Sequence, residues 1–470
     1  MPEDILDTLR DIAGRAHVLT GAAAAPFGRD WSGSTSWQPL AVVRPADATQ
    51  IAAILRLANA RRVPVVPVAG NTGLTGGTRA EGAIMLSLAR LSAIREINPR
   101  ARVAVVEAGV ILSHLHDAAA AHDLVFPLTF GARGSAMIGG CLSTNAGGSN
   151  VLRYGSARAL CLGIEAVTPE GQVMNLMSAL HKDNSGYDLR DLLIGAEGTL
   201  GVITAATLRL FPRPRAYATA MVAARDVDAA LALLNLLQDE TGGAVEAFEY
   251  MPGDYMAAYL RRFPDARPPF DARHEVNILV ELGARAERDA TPRADGTVPI
   301  VAHLETVLVQ GHADGLVLDA VIARSEAERA EMWARREAAA EVSRLRAPII
   351  DNDIAVPLDA MSTLLARVNA RARALDPGIG FMHVAHLGDG NLHFTAWPDT
   401  ADTAVHAAIR AAVEEETIAL GGSFSAEHGV GVSKLPAMAR HKDPVALAMM
   451  RAIKQALDPN GIMNPGKVLP

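Results

Sequence analysis

Cysteine is almost absent from the sequence: Cys141 and Cys161 are the only two, and neither has a close-spaced companion. That excludes a zinc knuckle or a cysteine-held iron–sulfur cluster, and leaves the pair reading as buried, reduced thiols. Excess positive charge is missing too. Lys and Arg number 44 against 52 Asp and Glu, a net charge of −8 with the signs interspersed. Without a basic stripe to neutralise phosphates, nucleic acid is excluded as a partner class. No run reaches the roughly 20 uncharged apolar residues of a membrane-spanning helix. The longest small-residue runs are alanine, residues 22–25 and 118–121, and these suit helices and close packing. The first residues, Met1-Pro2-Glu3-Asp4, are acidic where a secretory signal would be basic, and no apolar segment follows; a cytoplasmic location is expected. Internal repeats and low-complexity linkers are also lacking.

What is present is a chain of 470 residues, 50% hydrophobic and 20% charged, which implies a globular protein of two or three domains. The N-terminal part alternates short apolar runs (41–43, 63–68, 84–88 and 103–106) with a helical pattern over 47–61 behind an Asp47 N-cap. A β-rich stretch covers 160–210. Phe211-Pro212-Arg213-Pro214-Arg215 then punctuates the chain. Beyond it, helical patterns over 227–238, 325–346 and 358–374 are separated by strand-like runs at 276–281 and 349–356, a second α+β texture.

Three glycine-rich segments stand out: Gly70-Asn71-Thr72-Gly73-Leu74-Thr75-Gly76-Gly77, Gly131 to Gly148, and Gly195-Ala196-Glu197-Gly198-Thr199-Leu200-Gly201-Val202-Ile203. Glycines let several backbone N–H groups converge on one anion and let it approach closely. The spacing matches neither a Rossmann fingerprint nor a P-loop, and three such segments suit a ligand the size of FAD.

These segments, with Ser185-Gly186-Tyr187-Asp188-Leu189-Arg190 before the last one, resemble the FAD-linked oxidase family typified by vanillyl-alcohol oxidase, in its D-lactate and D-2-hydroxyglutarate dehydrogenase branch. The resemblance covers nearly the whole chain. It implies an α+β fold with a two-subdomain FAD-binding domain over 1–212, a substrate- and metal-binding domain over 213–429, and a C-terminal segment, 430–470, packing back on the first. It also implies that Gly70, Asn71, Thr72, Gly73, Gly76, Gly140, Asn145, Glu197, Gly201, Ile203 and Asn464 touch FAD. Relatives with covalent flavin carry a histidine in the first loop; Asn71 stands here instead, so non-covalent FAD is expected.

A second informative region is His383-Val384-Ala385-His386-Leu387-Gly388-Asp389-Gly390-Asn391-Leu392-His393. Asp-Gly between apolar runs predicts a two-residue hairpin turn, which sets His386 directly opposite His393 on one face. His383 falls on the leucine face and reads as structural. Two imidazoles and an acidic residue suit Zn²⁺ first, with Mn²⁺ or Fe²⁺ as alternatives. Ser425-Ala426-Glu427-His428-Gly429 resembles the family segment in which the glutamate is a metal ligand and the histidine the catalytic base. Neighbours on a regular strand face opposite sides, so sharing one site requires a bend, for which Gly429 and Gly431 are suited.

The expected chemistry is oxidation of a D-2-hydroxy acid to the 2-oxo acid. By the resemblance, His428 removes the hydroxyl proton, hydride leaves for FAD, and Arg336 grips the substrate carboxylate. Family members acting on D-2-hydroxyglutarate carry a hydroxyl residue four positions after that arginine and a lysine fifteen after it; Ala340 and Asp351 stand here. A D-lactate-like monocarboxylate is therefore favoured. Two alternatives are a flavin subunit of a glycolate oxidase-like complex and a two-His-one-carboxylate hydrolase or oxygenase. An electron-transfer flavoprotein, a cytochrome or a quinone would take the electrons, and the oligomeric state, a homodimer included, is not specified by the sequence.

Overall fold

Asp47 opens the first long helix. In a computed structural model, which describes residues 2–31, 33 and 35–470, its side chain accepts the Gln50 N–H at 2.8 Å, and the helix runs Ala48–Arg61 with Ile51, Ile54, Leu55 and Ala58 buried. Met1, at the head of the acidic N-terminus, lies outside the described residues. The chain divides into two compact units, one of Met1–Gly147, Gly155–Pro212 and Glu427–Pro470, the other of Gly148–Tyr154 and Arg213–Ala426. Among the described residues, no helix is long and apolar enough to cross a membrane. Cys141 and Cys161 are free and buried, and burial pushes both thiols up to about 12.

The first unit holds two main sheets. One orders Val18–Leu19, Ala41–Val43, Ile84–Ser87 and Val65–Val68, the last three parallel, under the 48–61 helix. C-terminal residues join its edge: Val65 N donates to Ile462 O and Asn464 N to Val65 O, each at 2.8 Å. The second sheet is antiparallel, ordered Ile94–Asn98, Val103–Glu107, Val202–Arg209, Cys161–Val167 and Val173–Leu176. The first two glycine-rich segments meet backbone to backbone. A Cβ on Gly70 would stand 2.2 Å from Ser135 O, and one on Gly140 3.3 Å from the Ala69 Cβ.

The second unit is built on an eight-stranded antiparallel sheet, ordered Val317–Ile322, Ala216–Ala224, Val276–Ala284, Val245–Pro252, Val384–His386, Asn391–Trp397 and Ile350–Ala355, with Gly380–Phe381 paired to Asn391–Trp397. Alternation sends Val222, Phe248, Ile278, Ile354, Leu392 and Phe394 into one apolar core. The pattern over 325–346 is not one helix but two, Glu326–Glu337 and Ala339–Ser343. The Tyr255 hydroxyl donates to Arg335 O at 2.5 Å, competing for the carbonyl that a continuing helix would present to residue 339.

The hairpin corrects the expected register. Its loop has four residues, 387–390, so His386 pairs with Asn391 and His393 with Val384. Asp389 N donates to His386 O, and the Asp389 side chain accepts from Asn391 N, which closes the turn two residues early. Both glycines are also engaged: Gly388 N donates to Phe248 O, and Val356 N to Gly390 O. Because the slip is by two residues, side-chain faces are preserved, and the His386 and His393 rings lie 5.3 Å apart, edge to face. His383 does sit on the core side, stacked on Phe394 at 4.7 Å with Nε2 2.9 Å from Asn369 Oδ1.

Two stability predictions follow from this packing. Burial pushes the His383 imidazole down to about 3, so below pH 6.5 the unfolded chain takes up a proton that the folded one refuses. Stability of the second unit is expected to fall as pH drops through that window, by up to about 1.4 kcal/mol per pH unit. Thermal unfolding of His383→Phe between pH 7 and 4.5 should show a flatter acid limb than the parent. Gly70→Ala, which drives a Cβ into Ser135 O, is expected to destabilise the first unit by roughly 1–3 kcal/mol, read as a lower midpoint in the same melts.

Candidate active site

In the first unit, four of the residues assigned to a cofactor hold a left-handed backbone: Asn71 (φ 51°), Asn145 (φ 51°), Glu197 (φ 50°) and Asn464 (φ 42°). Only eight non-glycine residues among those described do so. Such strain persists where surrounding structure imposes it, and it clusters at binding sites. Their side chains tie the glycine-rich segments together. Thr78 Oγ1 donates to Asn71 Oδ1 at 2.7 Å, while Asn145 Oδ1 accepts from Ser156 Oγ and Arg158 N at 2.9 Å each. Asn464 Nδ2 donates to Gly77 O at 3.0 Å and Glu197 O at 2.7 Å. Asn464 Oδ1 is buried with no hydrogen-bond partner in the chain, a vacancy that suits a ligand donor.

Glu197 has a structural task that its position in a glycine motif does not announce. Its carboxylate accepts from Val430 N at 2.7 Å and Gly431 N at 2.9 Å. Burial raises its pKa against the pull of those two N–H groups. Thr75, buried in the first loop, takes the next turn: its carbonyl accepts from Val432 N (2.8 Å) and Ser433 N (3.1 Å), and its hydroxyl donates to His428 O. Gly76 lies opposite Val432, and Gly201 beneath Val167 O. Ile203 is buried in the strand Val202–Arg209, and Gly140 lies in the short helix Ile138–Ser143. Thr72 and Gly73 sit at the exposed side of the first loop. No histidine occurs in that loop. All eleven assigned positions thus lie in one unit, around glycine-rich turns, side-chain amides and one buried amide oxygen with no partner among the described residues. That donor set fits an anionic dinucleotide.

The Glu427–His428 step is bent as the neighbouring glycines permit: Gly429 and Gly431 have φ of 78° and 51°. The bend brings His428 Nε2 within 3.7 Å of Glu427 Oε1, so adjacent side chains turn to the same side.

In the second unit, the sheet face opposite the apolar core carries a second apolar cluster, including Met221, Met251, Leu279 and Val384, with a polar patch beside it. The patch holds Thr219, Glu249, Glu281, Asp353, His386 and His393, of which Glu249 is 0% and Glu281 4% exposed. Buried carboxylates demand partners. Glu281 accepts two bonds from Arg329, Nε at 2.7 Å and Nη2 at 2.8 Å, plus Trp333 Nε1 (2.8 Å) and Thr219 Oγ1 (2.7 Å). Glu249 accepts Arg336 Nε at 2.7 Å and His386 Nδ1 at 2.9 Å. Arg329, Trp333 and Arg336 fall at i, i+4 and i+7, so one helix face is a row of donors lying on the carboxylates. Burial opposes the Glu249 charge, but His386 and Arg336 outweigh it and hold the carboxyl below its ordinary range.

Each histidine of the hairpin has a carboxylate directly opposite on its other neighbour, Glu249 for His386 and Asp353 for His393. Asp353 Oδ1 lies 3.9 Å from His393 Nδ1 and accepts Asn391 Nδ2 at 3.0 Å. Two imidazoles on one face, backed by carboxylates, are a donor set that fits a divalent cation. Glu249, Glu281 and Asp353 were not singled out by the motifs. The available signal was acidic residues inside otherwise apolar strands, as in Val245–Pro252 and Val276–Ala284. Ala340 lies exposed in the short helix Ala339–Ser343, and Asp351 lies exposed on the same side of Ile350–Ala355 as Asp353, opposite Thr395.

Comparison with known proteins identifies the family. The chain matches the family described as FAD linked oxidases, C-terminal domain, over residues 213–468, and an FAD binding domain over 39–177. It is 36% identical over 450 residues to a D-2-hydroxyglutarate dehydrogenase of Xanthomonas citri pv. viticola, covering 94% of this chain and 92% of that one. It is 34% identical over 471 residues to the D-2-hydroxyglutarate dehydrogenase of Stutzerimonas stutzeri, covering 99% and 98%. The mitochondrial enzyme of that name from Bos taurus is 34% identical, with 100% and 84% covered. In fold, the chain is similar to p-cresol methylhydroxylase (TM-score 0.76, 15% identity, 99% and 96% covered). Alkyldihydroxyacetonephosphate synthase is also similar (TM-score 0.74, 14% identity, 98% and 84% covered). The α+β architecture is thus that of the vanillyl-alcohol oxidase-like flavoproteins, and the chain belongs to the FAD-linked oxidases as an FAD-dependent oxidoreductase.

Proposed function

We propose that the chain oxidises a D-2-hydroxy acid to the 2-oxo acid. The observation that carries the reading is Arg336: a guanidinium held by a buried carboxylate through Nε, with Nη2 3.4 Å from His386 Nε2 and, among the described residues, no hydrogen bond from Nη1, on a chain similar end to end to D-2-hydroxyglutarate dehydrogenases. Such an arginine is pre-set to bind a substrate carboxylate through its remaining donors. His428 is the base that takes the hydroxyl proton. His386, His393 and Glu427 would hold a divalent cation, zinc first among the candidates. Ala426 N donates to Asp353 O at 3.3 Å, and Glu427 follows Ala426 in the chain. When bound, FAD supplies the hydride acceptor, and the cation lowers the pKa of a coordinated hydroxyl. FAD is proposed to be held without a covalent bond, since Asn71 occupies the first loop. Electrons would pass on to an electron-transfer flavoprotein, a cytochrome or a quinone.

Within this class, a monocarboxylate such as D-lactate is the favoured substrate. Asp351 would repel a second carboxylate, and Ala340 offers it no hydroxyl. The names of the relatives favour the dicarboxylate instead. An anaerobic visible spectrum decides: D-lactate, L-lactate and D- and L-2-hydroxyglutarate are added in turn to the flavin-loaded protein. Bleaching by D-lactate and not by its enantiomer is expected. Faster bleaching by D-2-hydroxyglutarate would replace the monocarboxylate with the dicarboxylate, and no bleaching by any D-2-hydroxy acid would end the functional reading. Asp351→Lys is expected to raise kcat/KM for D-2-hydroxyglutarate; no gain would remove Asp351 from the specificity argument. Arg336→Met is expected to lower kcat/KM by roughly 30-fold or more, the loss of one partner of a desolvated charge pair; a value within threefold of the parent would take Arg336 out of the site.

A further inference from the structure

Glu249 has no place in the chemistry above, yet it is the most deeply buried charged group of the polar patch, 0% exposed. We infer that Glu249 is a positioning residue for the proposed reaction, aiming Arg336 at the substrate carboxylate and fixing the ring of His386 for a divalent cation. The inference rests on that reading of the site.

The geometry gives the carboxylate two simultaneous tasks. Oε2 accepts from Arg336 Nε at 2.7 Å, and His386 Nδ1 lies against both oxygens, 2.9 Å from Oε1 and 2.8 Å from Oε2. A bond through Nε fixes the plane of the guanidinium while Nη1 keeps its donors for another anion. An ionised carboxylate can only accept, so Nδ1 of His386 must carry the ring proton, which makes Nε2 the lone-pair nitrogen, and it lies 3.4 Å from Arg336 Nη2. A histidine whose ring is fixed through its other nitrogen by a carboxylate is the usual support of a metal-binding imidazole. The two rigid parts meet by register. Glu249 and His386 are directly opposed on paired strands, while Arg336 arrives on the helix that Arg329 and Trp333 clamp onto Glu281. One carboxylate therefore couples the place where a substrate anion would bind to the place where a cation would bind.

The test is a titration of the flavin-loaded, chelator-stripped protein with zinc alone, for the parent and Glu249→Gln, alongside steady-state kinetics with D-lactate. Glutamine matches the shape but removes the charge and one of the two acceptor oxygens, which weakens the hold on both Arg336 and His386. Zinc affinity is expected to fall 10- to 100-fold and KM for D-lactate to rise at least 10-fold, with flavin content unchanged. A merely structural role would lower the unfolding midpoint and leave zinc affinity and KM of the folded protein at parent values; that result overturns the inference. Should Glu249→Gln fail to fold around an unpaired Arg336 charge, Glu249→Gln/Arg336→Met removes the imbalance. Zinc affinity must still drop about 10-fold in that double variant relative to Arg336→Met, and an unchanged value overturns the inference. If the parent itself takes up no zinc, the metal part of the functional reading falls and the role of Glu249 with it. Zinc uptake by the parent that Glu249→Gln leaves intact removes Glu249 alone.

Discussion

The second unit is organised by one electrostatic constraint: carboxylates with almost no solvent exposure in a polar patch on one face of an antiparallel sheet. A buried, ionised carboxylate without partners is far more costly than the fold can tolerate. Glu281 and Glu249 therefore dictate what lies above them, and a helix with donors at i, i+4 and i+7 meets that need. Arg329 and Trp333 satisfy Glu281, Arg336 and His386 satisfy Glu249. The helix carrying Arg336 is consequently held by directional bonds as well as by packing, and the arginine at its end has little freedom of direction.

The first unit solves a different problem by different means. A large anionic ligand needs the backbone to come close, and glycine-rich segments rather than charged side chains allow that. Glycine at positions 70 and 140 allows two segments to touch. Asparagines at 71, 145 and 464, with Glu197, hold the left-handed turns between segments. The carboxylate of Glu197 is used on Val430 and Gly431 N–H groups, so a residue assigned to the cofactor also secures the segment that follows His428.

Much of this was legible along the chain. The Asp47 cap, the strands over 41–43 and 103–107, and the glycine segments all rest on local rules of propensity and spacing, and they appear where those rules put them. The face shared by His386 and His393 was legible for the same reason, because strand alternation is a local property. The pairing itself was not. Side-chain and backbone bonds of Asp389, and the engagement of Gly388 and Gly390 by residues 248 and 356, close the hairpin with four loop residues rather than two. The helix over 325–346 failed similarly, at the point where Tyr255 competes for the Arg335 carbonyl.

Sequence alone thus specified which face of its element each candidate side chain occupies, since that depends on residue type and a repeat of 2.0 or 3.6 residues. Which groups meet was decided by tertiary structure. Glu249 lies 137 residues from His386 and 87 from Arg336, and no local rule links positions so far apart. Their meeting depends on strand order and register, which are fixed only when the whole sheet closes and every buried charge must find its partner.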